Sequence, residues 1–282
     1  MKLKNIIFLI LPIAIISCRP KDIDIKVEPS ESKLVVFSHV IPNSYMLVSL
    51  TKSFSALEPQ ENVNVEDLLV GGADVSVKFD GETVNFYELS YGLYASLETP
   101  TTAGINYEFT AIKDNDTITA LSTMLAQSTF ETVTPIITET ATDTTSSIKV
   151  SFNDNPSEDN WYIINVYKKG AADATDGIDG VNFFGNGSNV LAKTVLLSDD
   201  EIPGMYESTL KLDNVHHSDS IVVTLSNIGE EYFNYLNLKQ GTGNVFTSLN
   251  LEPVNYPSNV NNGYGFFNTH YPDIRFYDLS EF

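Results

Sequence analysis

Cysteine is nearly absent: the 282 residues contain one, Cys18. A single thiol forms no internal disulfide, which excludes the cystine-stapled scaffolds of small secreted domains. Basic residues are scarce too, with 16 Lys and Arg against 37 Asp and Glu and a formal net charge of −21. That balance argues against nucleic acid, whose phosphates demand clustered Lys and Arg, and against polybasic docking on anionic lipid. It suits a water-exposed body, or one that meets a basic or cation-bearing partner. Long apolar runs are missing. Ile6–Ile16 is interrupted by Pro12 and has about half of the ~20 residues that a membrane-spanning helix needs. Nucleophile and phosphate motifs are missing as well. There is no G-x-S-x-G elbow (Gly185-Asn186-Gly187-Ser188 does not match it), no Gly-Lys-Ser/Thr phosphate loop and no HExxH helix. Carboxylate pairs can always be chosen among 37 acidic residues, so no glycosidase pair is singled out.

What is present begins at the N-terminus. Lys2 and Lys4 precede the apolar run, which closes at Ile15-Ile16-Ser17-Cys18. A basic start and a short apolar stretch are the parts of an export signal. The closing residues resemble the bacterial lipobox. That resemblance implies a diacylglyceryl thioether on Cys18, cleavage after Ser17 and acylation of the new terminus. Several chains matter physically, because one acyl chain alone gives only marginal, reversible membrane binding. The alternative is an ordinary cleaved signal or an anchor helix with an incidental cysteine. Beyond it, Arg19-Pro20-Lys21-Asp22-Ile23-Asp24 resembles the surface-export signal of Bacteroidota lipoproteins, carried here by Lys21, Asp22 and Asp24 with Ile23 interrupting the acidic pair. A solvated tether is the plainer reading. Removal of residues 1–17 leaves 14 basic residues against 37 acidic ones, a net charge of −23.

Strand signals dominate the rest. KLVVFSHVI (33–41) and YMLVSL (45–50) are β-branched and aromatic runs divided by Pro42-Asn43. In DVSVKFDGETVNFYEL (74–89), apolar and polar residues alternate on both sides of Asp80-Gly81, a hairpin signal that requires positive φ at both turn residues. Tyr107–Ile112 and Thr117–Leu121 flank a second turn at Asp114-Asn115-Asp116. Residues 126–147 are dense in Thr and Ser with Pro135 among them, and read as a junction followed by a strand entering near Ile136. IKVSF (148–152), WYIINVYKK (161–169), Leu210–Leu212 and Ile221–Leu225 restart the strand pattern, and Asp173–Asn189 reads as a Gly-rich loop. Ile228, Tyr232, Tyr235 and Leu238 recur at helical spacing within Asn227–Leu238. The expected fold is therefore all-β: two immunoglobulin-like antiparallel β-sandwich modules, with one short helix in the C-terminal module. The expected organisation is a signal at 1–17, a lipidated tether at 18–31, one sandwich at 32–127 and a second at 128–282.

The C-terminal segment LEPVNYPSNVNNGYGFFN (251–268) combines Glu252-Pro253-Val254, Ser258-Asn259-Val260 and Gly263-Tyr264-Gly265-Phe266-Phe267. In that order these residues resemble the C-terminal signature of the Bacteroidota lipoproteins known as domain of unknown function 4249. Gly72-Ala73-Asp74-Val75, Gly92-Leu93-Tyr94 and Asp219-Ser220-Ile221-Val222-Val223 fit the same pattern. The resemblance implies a lipid-anchored, two-part β-rich protein of the outer membrane. It further implies accessory work beside TonB-dependent receptors or other β-barrels, and it brings no catalytic residues with it.

Sites are few. His39, His216, His217 and His270 lack partners at metal-ligand spacing. Asp173, Asp176 and Asp179 are the best calcium candidates, although the alternation and terminal Glu of an EF-hand loop are missing. Phe266-Phe267 and Ile274–Tyr277 read together as a closing strand. Among the C-terminal aromatics, Tyr264 and Tyr271 are the interface candidates. The expected role is non-catalytic binding, with the membrane reached through lipid on Cys18 and an integral outer-membrane β-barrel as partner. A glycan-binding or adhesive surface protein is the alternative, and a hydrolase ranks below it.

Overall fold

The structure, a computed structural model, describes residues 31–40, 46–54, 64–97, 102–139, 144–170, 189–202, 204–242 and 256–282. Its strands form four sheets and its fold is predominantly antiparallel β with little helix. In the first half, β1 (Leu34–Val40), β2 (Met46–Lys52), β5 (Tyr87–Ser90) and β6 (Leu93–Ser96) belong to one sheet. β3 (Asp74–Phe79), β4 (Glu82–Asn85), β7 (Asn106–Lys113) and β8 (Asp116–Thr123) belong to another, and a single helical turn, α1 (Val65–Leu68), precedes β3. Alternation decides which faces meet. Tyr107, Phe109 and Ala111 of β7 are buried while Glu108 and Ile112 between and beyond them are exposed. They share one apolar cluster with Leu34, Val36, Met46, Val48 and Leu50 from the first sheet. The Asp80-Gly81 turn has positive φ at both residues, 50° and 80°, as its hairpin requires.

In the second half, β9 (Phe130–Glu139), β10 (Thr144–Asn153) and β13 (Met205–Leu212) make a three-stranded sheet in the order β13-β10-β9. β11 (Trp161–Lys169), β12 (Asn189–Ser198), β14 (Ser220–Ile228) and β17 (Asp273–Asp278) make a four-stranded sheet in the order β12-β11-β14-β17. Ile148, Val150, Phe152 and Leu210 from the former share a second cluster with Tyr162, Ile164, Val166, Ile221, Val223 and Leu225 from the latter. The Thr-rich stretch read as a junction is thus largely strand: β-branched Thr favours the pleat, and Pro135 is tolerated because β9 lies at the end of its sheet's strand order.

The helix is α2 (Glu230–Thr242), later than the Asn227–Leu238 expectation. Ile228 is fully buried and still belongs to β14, where it pairs with Trp161, so it does not sit on the helix at all. Tyr232 and Tyr235 remain on one face, and their rings lie 5.4 and 4.9 Å from that of Phe266. Tyr235 is also 6.0 Å from Phe37. The backbone of α2 runs beside β11 and β12. The helix therefore follows β14 in sequence and sets its aromatic face on Phe37 and Phe266 of the first sheet.

The last segment divides between the two clusters. β15 (Val260–Asn261) pairs with β8, and β16 (Tyr264–Phe266) pairs in parallel with β1; every other pairing among the described strands is antiparallel. Residues 260–267, assigned from the sequence to the second module, thus complete both sheets of the first. Phe267 is fully buried there and stacks on Phe109 with centroids 5.0 Å apart. Only β17, beyond Pro272, returns to the second. Phe266, which ends β16, and Ile274–Tyr277 of β17 therefore belong to different sheets rather than to one closing strand, and Phe267 lies just beyond β16.

Candidate functional site

The tail is fastened residue by residue. Asn259 donates from Nδ2 to the Leu121 and Phe267 carbonyls at 3.0 and 2.7 Å, and its Oδ1 accepts from the Phe267 amide at 3.0 Å. Ser258 donates to the Gly265 carbonyl at 2.8 Å. The buried Ser38 hydroxyl donates to the Asn268 carbonyl and accepts from the Asn268 amide. Gly265 has φ +101°, and a Cβ there would collide with the Val36 backbone, so β16 can lie against β1 only as glycine. Tyr264 points the other way. It is 47% exposed, with the Lys33 ammonium 5.5 Å from its ring centre. Tyr271 is half-buried and packs against the first cluster. The two interface candidates are thus unlike: one ring is open to solvent and the other contributes to packing.

Two chain crossings join the halves side by side. Gln127 donates to the Pro272 carbonyl at 3.3 Å, and the Phe130 amide donates to Asp273 at 2.9 Å. Within the second half, the Tyr277 hydroxyl of β17 donates to the Val133 carbonyl of β9. Against the first crossing lies a polar cleft of ≈ 210 Å³. Its walls come from the 126–129 crossing, from the loop between β10 and β11, and from Tyr162 and Asn227 on the adjacent strands β11 and β14. The loop is held open by its own polar side chains. Asn155 accepts from the Ser157 amide and hydroxyl, and Asn160 donates to the carbonyls of Asn155 and Glu158.

Asp154 is the buried charge of this cleft, and its Oδ1 accepts from the Tyr162 hydroxyl at 2.5 Å. Burial first, then that bond and the Asp154 charge, push the Tyr162 hydroxyl well above the ordinary tyrosine range, against opposing contributions from Ser128 and the Asn155 backbone. Tyr162 therefore stays a protonated donor. The field extends to Asp199 at the end of β12. Partial desolvation, followed by the charges of Asp154 and Asp159, raises its carboxyl above the usual range.

Nothing in the sequence brought these groups together. Asp154 and Asn160 lie in a stretch legible only as a polar loop, and Asn227 is 67 residues beyond Asn160. Cys18, Lys21, Asp22 and Asp24, and the calcium candidates Asp173, Asp176 and Asp179, lie outside the described residues. Among the described residues, no three His, Cys, Asp or Glu side chains gather as a metal site. His216 donates its backbone amide to Asp219, and His270 bonds Asn268 through Nδ1. No helix among the described residues is long and apolar enough to cross a membrane.

A family model described as Domain of unknown function (DUF4249) matches residues 20–271. The chain belongs to that family. No curated protein matches it. Among solved structures, a DUF4785 family protein from Legionella pneumophila aligns at 10% identity and a TM-score of 0.22, over 70% of this chain and 53% of that one. The chain thus spans about half the length of that protein, and the likeness is too slight to carry an argument.

Proposed function

We propose that this DUF4249 protein is a lipid-anchored component of the outer membrane, facing the cell exterior, that acts by binding as an accessory subunit beside an integral β-barrel. The observation that carries the reading is the sequence Ile15-Ile16-Ser17-Cys18 behind a basic, short apolar leader. Cleavage before Cys18 frees a tether, residues 18–31, whose Lys21, Asp22 and Asp24 supply the export signal. The body beyond it consists of two immunoglobulin-like sandwiches. Acidity is in keeping with a domain held at a membrane by acyl chains rather than by basic residues. The tail that carries the family likeness also packs into the body, with Phe267 fully buried in the first apolar cluster. The test is fractionation of cells carrying Cys18→Ala, with protease shaving of intact cells. The reading expects the wild-type chain in the outer membrane and cleaved by external protease, and the variant released. A variant that stays in the membrane through high-salt washing contradicts the lipid anchor, and a fully protected wild type contradicts the outward orientation.

A further inference from the structure

The cleft between the 126–129 crossing and the β10–β11 loop has a polarity that selects its ligand. Glu131, Asp154 and Glu158 line it, and no Lys, Arg or His is among its lining residues. Carboxylates alone describe many solvated surfaces; the deciding group is Asn227. Asn227 is among the residues that line the cleft, it is only 7% exposed, and its side-chain Oδ1 has no hydrogen-bond partner. A chain of bonds fixes which amide atom is left over. Asn160 donates from Nδ2 to the carbonyls of Asn155 and Glu158, at 3.2 and 2.8 Å. Asn160 must therefore present Oδ1 to Asn227, whose Nδ2 donates to it at 3.0 Å. Turning the Asn227 amide over would set two oxygens against each other. The orphaned atom is thus an acceptor, and burying it unpaired is unfavourable. Asp154, which also lines the cleft, is a buried carboxylate whose Oδ1 accepts from Tyr162 and which also bonds the Asp199 side chain.

We infer that this cleft binds an organic cation bearing N–H donors, a protonated amine or a guanidinium. A donor satisfies Asn227 Oδ1, and the positive charge answers Asp154 together with the exposed Glu131 and Glu158. A bare metal ion fits less well: ≈ 210 Å³ is far larger than one ion, and no three His, Cys, Asp or Glu among the described residues converge. Anions are repelled by the three carboxylates. The inference is independent of the lipid anchor and of membrane orientation. The cation can come from a basic side chain of a protein partner or from a free diamine, and the experiment separates these sources.

The test is isothermal titration of the full-length protein in detergent at low salt, with a blocked Gly-Arg-Gly peptide, with putrescine, with the neutral citrulline analogue of the peptide and with calcium chloride. At least one organic cation should bind, and the citrulline peptide should not. Binding of the peptide alone identifies a protein side chain as the source; binding of putrescine alone identifies a free amine. Glu131→Gln/Glu158→Gln, which alters only exposed positions, should weaken binding by roughly tenfold at low ionic strength. Asn227→Leu should weaken it comparably, with thermal melting confirming that each variant is folded. Binding of neither cation, binding unchanged in the rim variant, or calcium outcompeting both cations would overturn the inference.

Discussion

Phe267→Ala isolates the contribution of the tail to the first apolar cluster. The side chain is supplied by a segment more than 140 residues beyond the strands it packs on, is fully buried, and stacks on Phe109 at 5.0 Å with an interplanar angle of 24°. Truncation removes its transfer free energy and leaves a cavity that the surrounding strands cannot close. Phe109, Tyr107 and Ile118 are themselves fully buried in the same cluster and have no free side along which to collapse. Buried Phe→Ala changes of this kind cost about 3–5 kcal/mol, a large fraction of the ~5–15 kcal/mol that holds a domain folded. At about 4–8 °C per kcal/mol for a unit of about 100 residues, the melting transition of the first half should fall by roughly 12–40 °C. Hydrogen exchange locates the effect: protection should be lost in β1, β7 and β8, while β10, β11 and β14 around the second cluster keep theirs. As a control, Tyr264→Ala, three residues away but solvent-facing, should change stability by no more than ~0.5 kcal/mol. A melting point unchanged in Phe267→Ala, or protection lost first in β10 and β11, would refute the assignment of the tail to the first cluster.

Other outcomes follow from single contacts. Gly265→Ala should cost at least about 2 kcal/mol, because positive φ and collision with Val36 combine, whereas Gly81→Ala, with positive φ but open space, should cost about 1 kcal/mol; chemical denaturation distinguishes them. Tyr162→Phe removes the donor to buried Asp154 and should destabilise by about 1.5–3 kcal/mol, read from the same curves. The Asp278 carboxyl is held below its ordinary value of 3.8 by the Ser280 hydroxyl and then the Ser280 amide. A depressed folded-state value means that this stabilisation is present above pH ~3.8 and lost as pH falls through the lowered value. The melting difference between wild type and Asp278→Ala should therefore shrink on acidification across that window, and a difference that grows would contradict the assignment.

The local signals of the sequence translated well into structure, and the long-range ones did not. Asp80-Gly81 and the alternation through Val75, Val77 and Phe79 are properties of adjacent residues, and they reappear as hairpin geometry and an inward face. The Thr-rich stretch misled because Thr density resembles a linker while β-branching favours a strand, and strand order rather than composition decided the outcome. Ile228 matched the helical period by coincidence of position, since burial against β11 keeps it in β14. The tail residues that carry the family likeness proved to be fasteners: Ser258 and Asn259 bond the backbone, Gly263 and Gly265 allow close approach, and Phe267 fills the core. No periodicity encodes a strand pair separated by over 200 residues, which is why β1–β16 pairing was illegible. The cleft was illegible for the same reason, because its acceptors converge only when β11 and β14 pair.

Affinity purification of the tagged wild-type protein from native outer membranes in mild detergent tests the central claim most directly. The account predicts that an integral β-barrel protein is recovered with it, and that the Cys18→Ala chain, released from the membrane, is recovered without one. A wild-type chain that is membrane-bound and yet consistently solitary would contradict the role of accessory subunit.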